Sequence, residues 1–175
     1  MKKTLKVALY ILLALVLIVL AYVIYVFAAY YRVEDMQKLG VAHCDAASAA
    51  PMEGAPQTGV TYRVSSANVG FGAYSADYSF FMDGGKQVRA PSKAIVEKNM
   101  DGIVSTVKEL DADFTFLQEI EADPSTRSYG IEEAERMRTE TGLDTAHARN
   151  YKCAFVPYPI PPIGKVLSLI HISEP

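Results

Sequence analysis

From Val7 to Tyr31 the chain runs for 25 residues without a charged side chain, and the run is rich in Leu, Val, Ile and Ala. At about 1.5 Å of rise per residue, a helix of that length exceeds the ~30 Å hydrocarbon core of a bilayer and crosses it with some tilt. A secretory leader has a shorter apolar region, about 7 to 15 residues, so the run reads as a retained anchor rather than a cleaved signal. Lys2, Lys3 and Lys6 precede it, against Arg32 and Lys38 just after it. Glu34 and Asp35 count for little in orientation, so the positive-inside rule keeps the N-terminus in the cytoplasm. The expectation is a single-pass cell-membrane protein whose soluble part lies outside the cytoplasm. Tyr22, Tyr25, Tyr30 and Tyr31 gather toward the outer end, where amphipathic rings favour the interface.

The remainder is weakly acidic, with a formal net charge of −3 for the whole chain and no run of Lys or Arg beyond the N-terminus. That argues against a chain whose main task is gripping nucleic-acid phosphates with a basic surface, though not against a nuclease whose local positive charge comes from a metal. Cys44 and Cys153 do not make a disulfide framework and read as one exposed thiol and one small buried residue. Residues 1–31 form the anchor, and residues 32–58, ending in the Gly-, Pro- and Ala-rich stretch from Gly40 to Gly59, form a linker.

Beyond the linker the pattern alternates between strand and helix. A strand is expected from Val60 to Asn68, then a long loop from Gly70 to Pro91 with an Asp83-Gly84-Gly85 turn. Ser92 suits the N-cap of a helix whose apolar positions Val96, Met100, Ile103, Val107 and Leu110 step by four and three. A strand from Phe114, a helix from Ile131 to Thr141 stopped by Gly142, and a strand from Tyr151 to Val156 follow. The fold class is α/β.

Two strand ends carry the chemistry. In FTFLQEI, Glu119 is the only charge between Phe114 and Ile120, and an acid where a buried strand surfaces is well explained by a bound cation. The alternative is an acid at the sheet edge paired with Lys or Arg. TYRVSSANVGFG delivers Asn68 to a glycine-rich turn in the same way, against the alternative of an Asn that hydrogen-bonds its own backbone before Gly70.

SSANVGFG and FLQEI, in that order with a helix-length segment between them, resemble the first two motifs of the endonuclease/exonuclease/phosphatase family, the deoxyribonuclease-I-like fold. GAYSADYSFFMDGG and STRSY further resemble a membrane-anchored bacterial branch of it. The resemblance spans roughly Thr58 to Lys165. It implies the N-terminal half of a four-layer α/β sandwich and a phosphoesterase in which Mg²⁺ or Mn²⁺ is held by Glu119 and Asn68. Arg127 and Tyr129 in STRSY are candidates for holding a phosphate oxygen, because a guanidinium matches that geometry; an exposed loop Arg is the alternative. Glu121 and Asp123 read as a solvated acidic turn, and Tyr74, Tyr78, Phe80 and Phe81 as a loop tucked under its own rings rather than a substrate wall.

The family's later motifs are not found in this sequence: a Gly-Asp-x-Asn strand end, a terminal Asp-His pair and a central histidine. His43, His147 and His171 do not replace them. VLSLIHISEP, residues 166–175, resembles a translated sequencing adapter, although LSLIHIS by itself also reads as an ordinary strand. The expectation is a partial domain over 59–165, a non-native tail over 166–175, and an inactive fragment of an active parent. Nucleic acid, phospholipid and small phosphoesters all remain open as substrates, and no stable protein partner is expected. A non-catalytic anchored binding protein that keeps the fold is the rival reading.

Overall fold

The structure, a computed structural model, describes residues 2–44, 56–122 and 124–174. It divides into two units, Met1–Arg32 and Val33–Pro175. The first is a single helix, α1 (Lys2–Ala28), with apolar residues on every side. Its Lys3–Ala28 part, 26 residues, is long and apolar enough to cross a membrane. The helix starts earlier than the uncharged run and stops before Tyr30 and Tyr31.

The second unit is a five-stranded sheet in the order β1-β4-β5-β3-β2, with β1 (Val41–Ala42), β2 (Val64–Asn68), β3 (Phe114–Glu121), β4 (Asp144–Val156) and β5 (Gly164–Glu174). β2 and β3 run parallel, as a strand-helix-strand crossover requires, and the other pairings are antiparallel. The crossover helix is α2 (Lys93–Leu110). Ser92 caps it, its Oγ accepting from the Ile95 N–H at 3.2 Å, and Val96, Met100, Val104 and Val107 are buried. Val104 lies within the same apolar stripe, whereas Leu110 at the last turn is 46% exposed. A shorter helix, α3 (Glu133–Thr141), ends where Gly142 turns left-handed and donates to the Arg138 carbonyl at 3.0 Å.

One core holds these elements together. Met100 and Val104 from α2, Met137 from α3, and Leu117 and Ile120 from β3 pack around Phe71, which is fully buried. The opposite sheet face, carrying Phe116, Ile170 and Ile172, is only half-buried. The chain is therefore a mixed helix-and-strand protein with one sheet and two helices on one face of it. The second sheet of a four-layer sandwich is not among the described residues.

Several boundaries differ from the sequence reading, β2 among them, which begins at Val64 rather than Val60. β1 falls inside the segment read as linker and pairs with β4 through Val41 and Ala146; residues 45–55 of that linker lie outside the described residues. β4 begins at Asp144, so His147 sits within a strand rather than before one. Residues 166–174, read as lying outside the fold, make most of β5, which pairs with β3 on one side and β4 on the other.

Candidate cation and phosphate site

Parallel pairing brings the ends of β2 and β3 out at the same edge of the sheet, with Asn68 opposite Gln118. One residue later β3 breaks register against β5, between Gln118 and Ile120, and the residue inside that bulge is Glu119. Its φ is 56°, a left-handed conformation that costs a side-chain-bearing residue roughly 1–2 kcal/mol. The bulge turns the carboxylate out of the sheet's alternation. Asn68 Nδ2 donates to Glu119 Oε1 at 2.9 Å, and Asn68 Oδ1 accepts from the Gly70 N–H at 2.9 Å. Both amide atoms of Asn68 thus have partners within the protein, and the self-bonding turn considered for it is present together with the contact to Glu119.

The turn after Asn68 is crowded. A Cβ at Gly70, whose φ is 53°, would meet the Tyr74 ring at 2.2 Å, so only glycine fits. Phe71 follows, with the rings of Tyr74, Tyr78 and Phe80 at 5.8, 6.1 and 6.1 Å in edge-on arrangements. The rings of the 70–91 loop pack on Phe71 as expected, but Tyr74, Phe80 and Phe81 also line a cleft beside Glu119, the wall that the sequence reading set aside, and Gly84 makes the expected turn at φ 85°.

Arg127 is neither an exposed loop residue nor free to swing. It is 8% exposed, its guanidinium carbon stands 4.1 Å from the Phe71 ring centroid, and its Nε donates to Glu121 Oε1 at 2.5 Å. Glu121 is fully buried, which corrects the solvated acidic turn; Asp123 lies outside the described residues. The Glu121 N–H donates to Glu133 Oε2 at 3.0 Å. Burial foremost, with the Glu121 carboxylate beside it, pushes the Glu133 carboxyl up from 4.5 to about 8 against the pull of that hydrogen bond and of Arg127.

The Glu133 shift has a measurable sign. Between about 4.5 and 8 the folded chain holds a proton on Glu133 that the unfolded chain releases, so stability is fullest below that window and falls as pH rises through it. The melting temperature of the full chain in detergent should drop from pH 5 to pH 8. Glu133→Gln, which still accepts from the Glu121 N–H, should flatten that drop. An equally steep profile in the variant would contradict the assignment.

Asn68, Glu119 and Arg127 share a cleft of about 950 Å³ with Tyr74, Asp83 and Asn150. The Tyr74 hydroxyl donates to Asp83 Oδ2 at 3.4 Å, and burial, followed by the charges of Asp83 and Glu119, raises its pKa. Asp83 and Asn150 were not picked out from sequence, since each looks like an ordinary turn or strand residue until the fold brings it to Glu119. Tyr129 is not brought there: its hydroxyl donates to the Pro91 carbonyl at 3.3 Å. A smaller hollow of about 540 Å³ between β2 and α2 shares Asn68 and Tyr74 but contains no carboxylate.

The histidines lie elsewhere. His43 Nδ1 and Asp144 Oδ2 are 2.6 Å apart at the start of β4, and the register Thr115–Ser173–Thr145 puts that pair at the end of the sheet opposite Glu119. His147 Nε2 is 3.2 Å from Thr145 Oγ1, and burial lowers its pKa. Cys44 and Cys153 are both free and half-buried, and Cys44 Sγ donates to the Arg138 carbonyl at 3.6 Å.

Among the described residues, no three of His, Cys, Asp and Glu converge closely enough to enclose a metal. The acids on the cleft are nonetheless of the right kind for a hard cation, because Mg²⁺ uses one or two carboxylates and keeps water or phosphate oxygens in its other positions. Glu119 and Asp83 are the two carboxylates on the lining of the cleft. Against known proteins, the chain matches no family model, no curated sequence and no solved structure.

Proposed function

We propose that this chain is the N-terminal half of a membrane-anchored, metal-dependent phosphoesterase of the endonuclease/exonuclease/phosphatase type, acting outside the cytoplasm and completed elsewhere as a four-layer α/β sandwich. The observation that carries the reading is the 2.9 Å hydrogen bond from Asn68, at the end of β2, to Glu119, in the bulge of the parallel strand β3, on a cleft shared with a buried arginine. Glu119 is also held at a φ of 56° inside a strand, a sparsely populated conformation of the kind that gathers at functional sites, and this supports the reading.

Each residue has a distinct task in this reading. Glu119 holds the cation. Asn68, with both amide atoms committed, acts as a positioning residue that fixes which way the carboxylate faces. Arg127 keeps its Nε on Glu121 and lines the cleft, so its terminal nitrogens are placed to receive a phosphate oxygen without ordering a flexible side chain first. A bound Mg²⁺ or Mn²⁺ supplies positive charge that stabilises the phosphoryl transition state. The water-activating histidine and the later acidic motifs belong to the rest of the parent, so this stretch by itself is expected to turn over nothing.

The test is turnover by the intact parent, this chain joined to the genomic sequence that completes the domain. Nucleic acid, phospholipid and a simple phosphodiester are assayed in parallel with Mg²⁺, with Mn²⁺ and with chelator. Hydrolysis that chelator abolishes and Mg²⁺ or Mn²⁺ restores is the expected result; hydrolysis indifferent to chelator removes the reading.

A further inference from the structure

We infer that the tip of the β4–β5 hairpin, with Met82 beside it, enters the lipid surface, and that the phosphoester presented to the cleft is that of a bilayer phospholipid. The substrate half of this inference rests on the phosphoesterase reading; the insertion half does not.

From Cys153 to Gly164 the sequence CAFVPYPIPPIG runs for 12 residues without a charge, between Lys152 and Lys165. The hairpin does not fold those apolar groups away. Phe155 is 46% exposed, Tyr158 69% and Ile160 93%, and Met82 on the facing loop is 72% exposed. Large apolar groups concentrated at one tip mark an interaction surface rather than the scattered exposure of an ordinary surface.

Three features select lipid as the occupant. Pro157, Pro159, Pro161 and Pro162 have no N–H, so the tip carries few backbone donors that would lose water on entering a headgroup layer. The flanking lysines suit anionic headgroups while the aromatic and aliphatic groups between them suit the acyl boundary. The same chain carries a helix long enough to cross a bilayer, which puts such a surface within its surroundings. A nucleic-acid strand fits poorly, since the cleft has one arginine against two carboxylates and no basic row leads to it.

The tip is also joined to the cleft. The rings of Phe81 and Tyr158 are 6.2 Å apart, and Phe81 packs with Val156, Ile163 and Val166. Phe81, Met82, Val156 and Tyr158 then line the same cleft as Glu119 and Arg127. An apolar wall thus leads from the exposed tip to the phosphate end, the arrangement an amphiphilic phosphoester needs.

The chain contains no tryptophan, so Ile160→Trp gives a single indole reporter. The full-length variant is reconstituted into vesicles of phosphatidylcholine and phosphatidylglycerol, with and without brominated acyl chains. Val64→Trp, on the exposed outer edge of β2, is the comparison. Ile160→Trp should show blue-shifted emission, at least twofold stronger quenching by brominated lipid, and protection from acrylamide relative to Val64→Trp. Equal lipid quenching of the two variants overturns the insertion, as does protection that disappears on dilution of the protein in the membrane, which would mean contact between copies. In the intact parent, Ile160→Asp should lower turnover of phospholipid vesicles at least tenfold and leave a soluble short-chain phosphodiester unaffected. Equal loss on both, or a preference for nucleic acid, overturns the substrate class. Insertion without any metal-dependent hydrolysis would instead remove the phosphoesterase reading and leave the lipid surface standing.

Discussion

Glu119→Gln should reduce turnover by the intact parent by about two to three orders of magnitude, the scale of losing one preorganised electrostatic group at a reacting centre. Gln keeps the side-chain length and still accepts from Asn68 Nδ2, whose present bond to Glu119 Oε1 is 2.9 Å. The substitution therefore removes the negative charge and little else. The melting temperature should be unchanged, because the bulge is formed by the backbone and not by the carboxylate. A surface acid in an ion pair is worth only ~0 to 1 kcal/mol, so an incidental Glu119 would leave turnover within a few-fold of wild type, and that result would sink the cation-ligand role. Added Mn²⁺ should rescue part of the loss if the defect is in cation affinity.

A chain that stops at Lys165 should not fold. Such a truncation removes residues 166–174 of β5 and strips pairing from β3 and β4 together. Two exposed edges and an apolar face would then meet water, so aggregation is expected in place of a cooperative transition. The check is calorimetry or denaturant unfolding of residues 59–165 alone. A single cooperative transition in that fragment would show that β5 is dispensable.

The readable parts of the sequence were those set by local chemistry. Ser92, the Gly142 stop and the α2 positions Val96, Met100 and Val107 appear where the pattern places them, because capping and periodicity act within one or two turns. Asn68 was legible because it closes the alternation of β2, and Glu119 because it is the one charge in an apolar run, although β3 continues past it to Glu121. What was not legible depends on distant partners. Glu121 looks like a solvated acid until Arg127 and Glu133 are brought to it, and Arg127 looks like a loop residue until Phe71 lies beneath it. Asp83 reaches the cleft only because the aromatic loop folds back over Phe71. Tyr129 went the other way, since proximity to Arg127 in sequence does not carry it to the same cleft.

At position 119 the backbone and the side chain make opposing demands. Glycine would occupy a φ of 56° without strain, and a chain optimised only for endurance would have one there. In the function proposed above, the glutamate trades some durability for a task, in the way that enzymes commonly forgo stability at the few positions where they work. Engineering this protein for robustness by replacing strained residues would begin, on energetic grounds alone, by deleting the group on which its proposed chemistry depends.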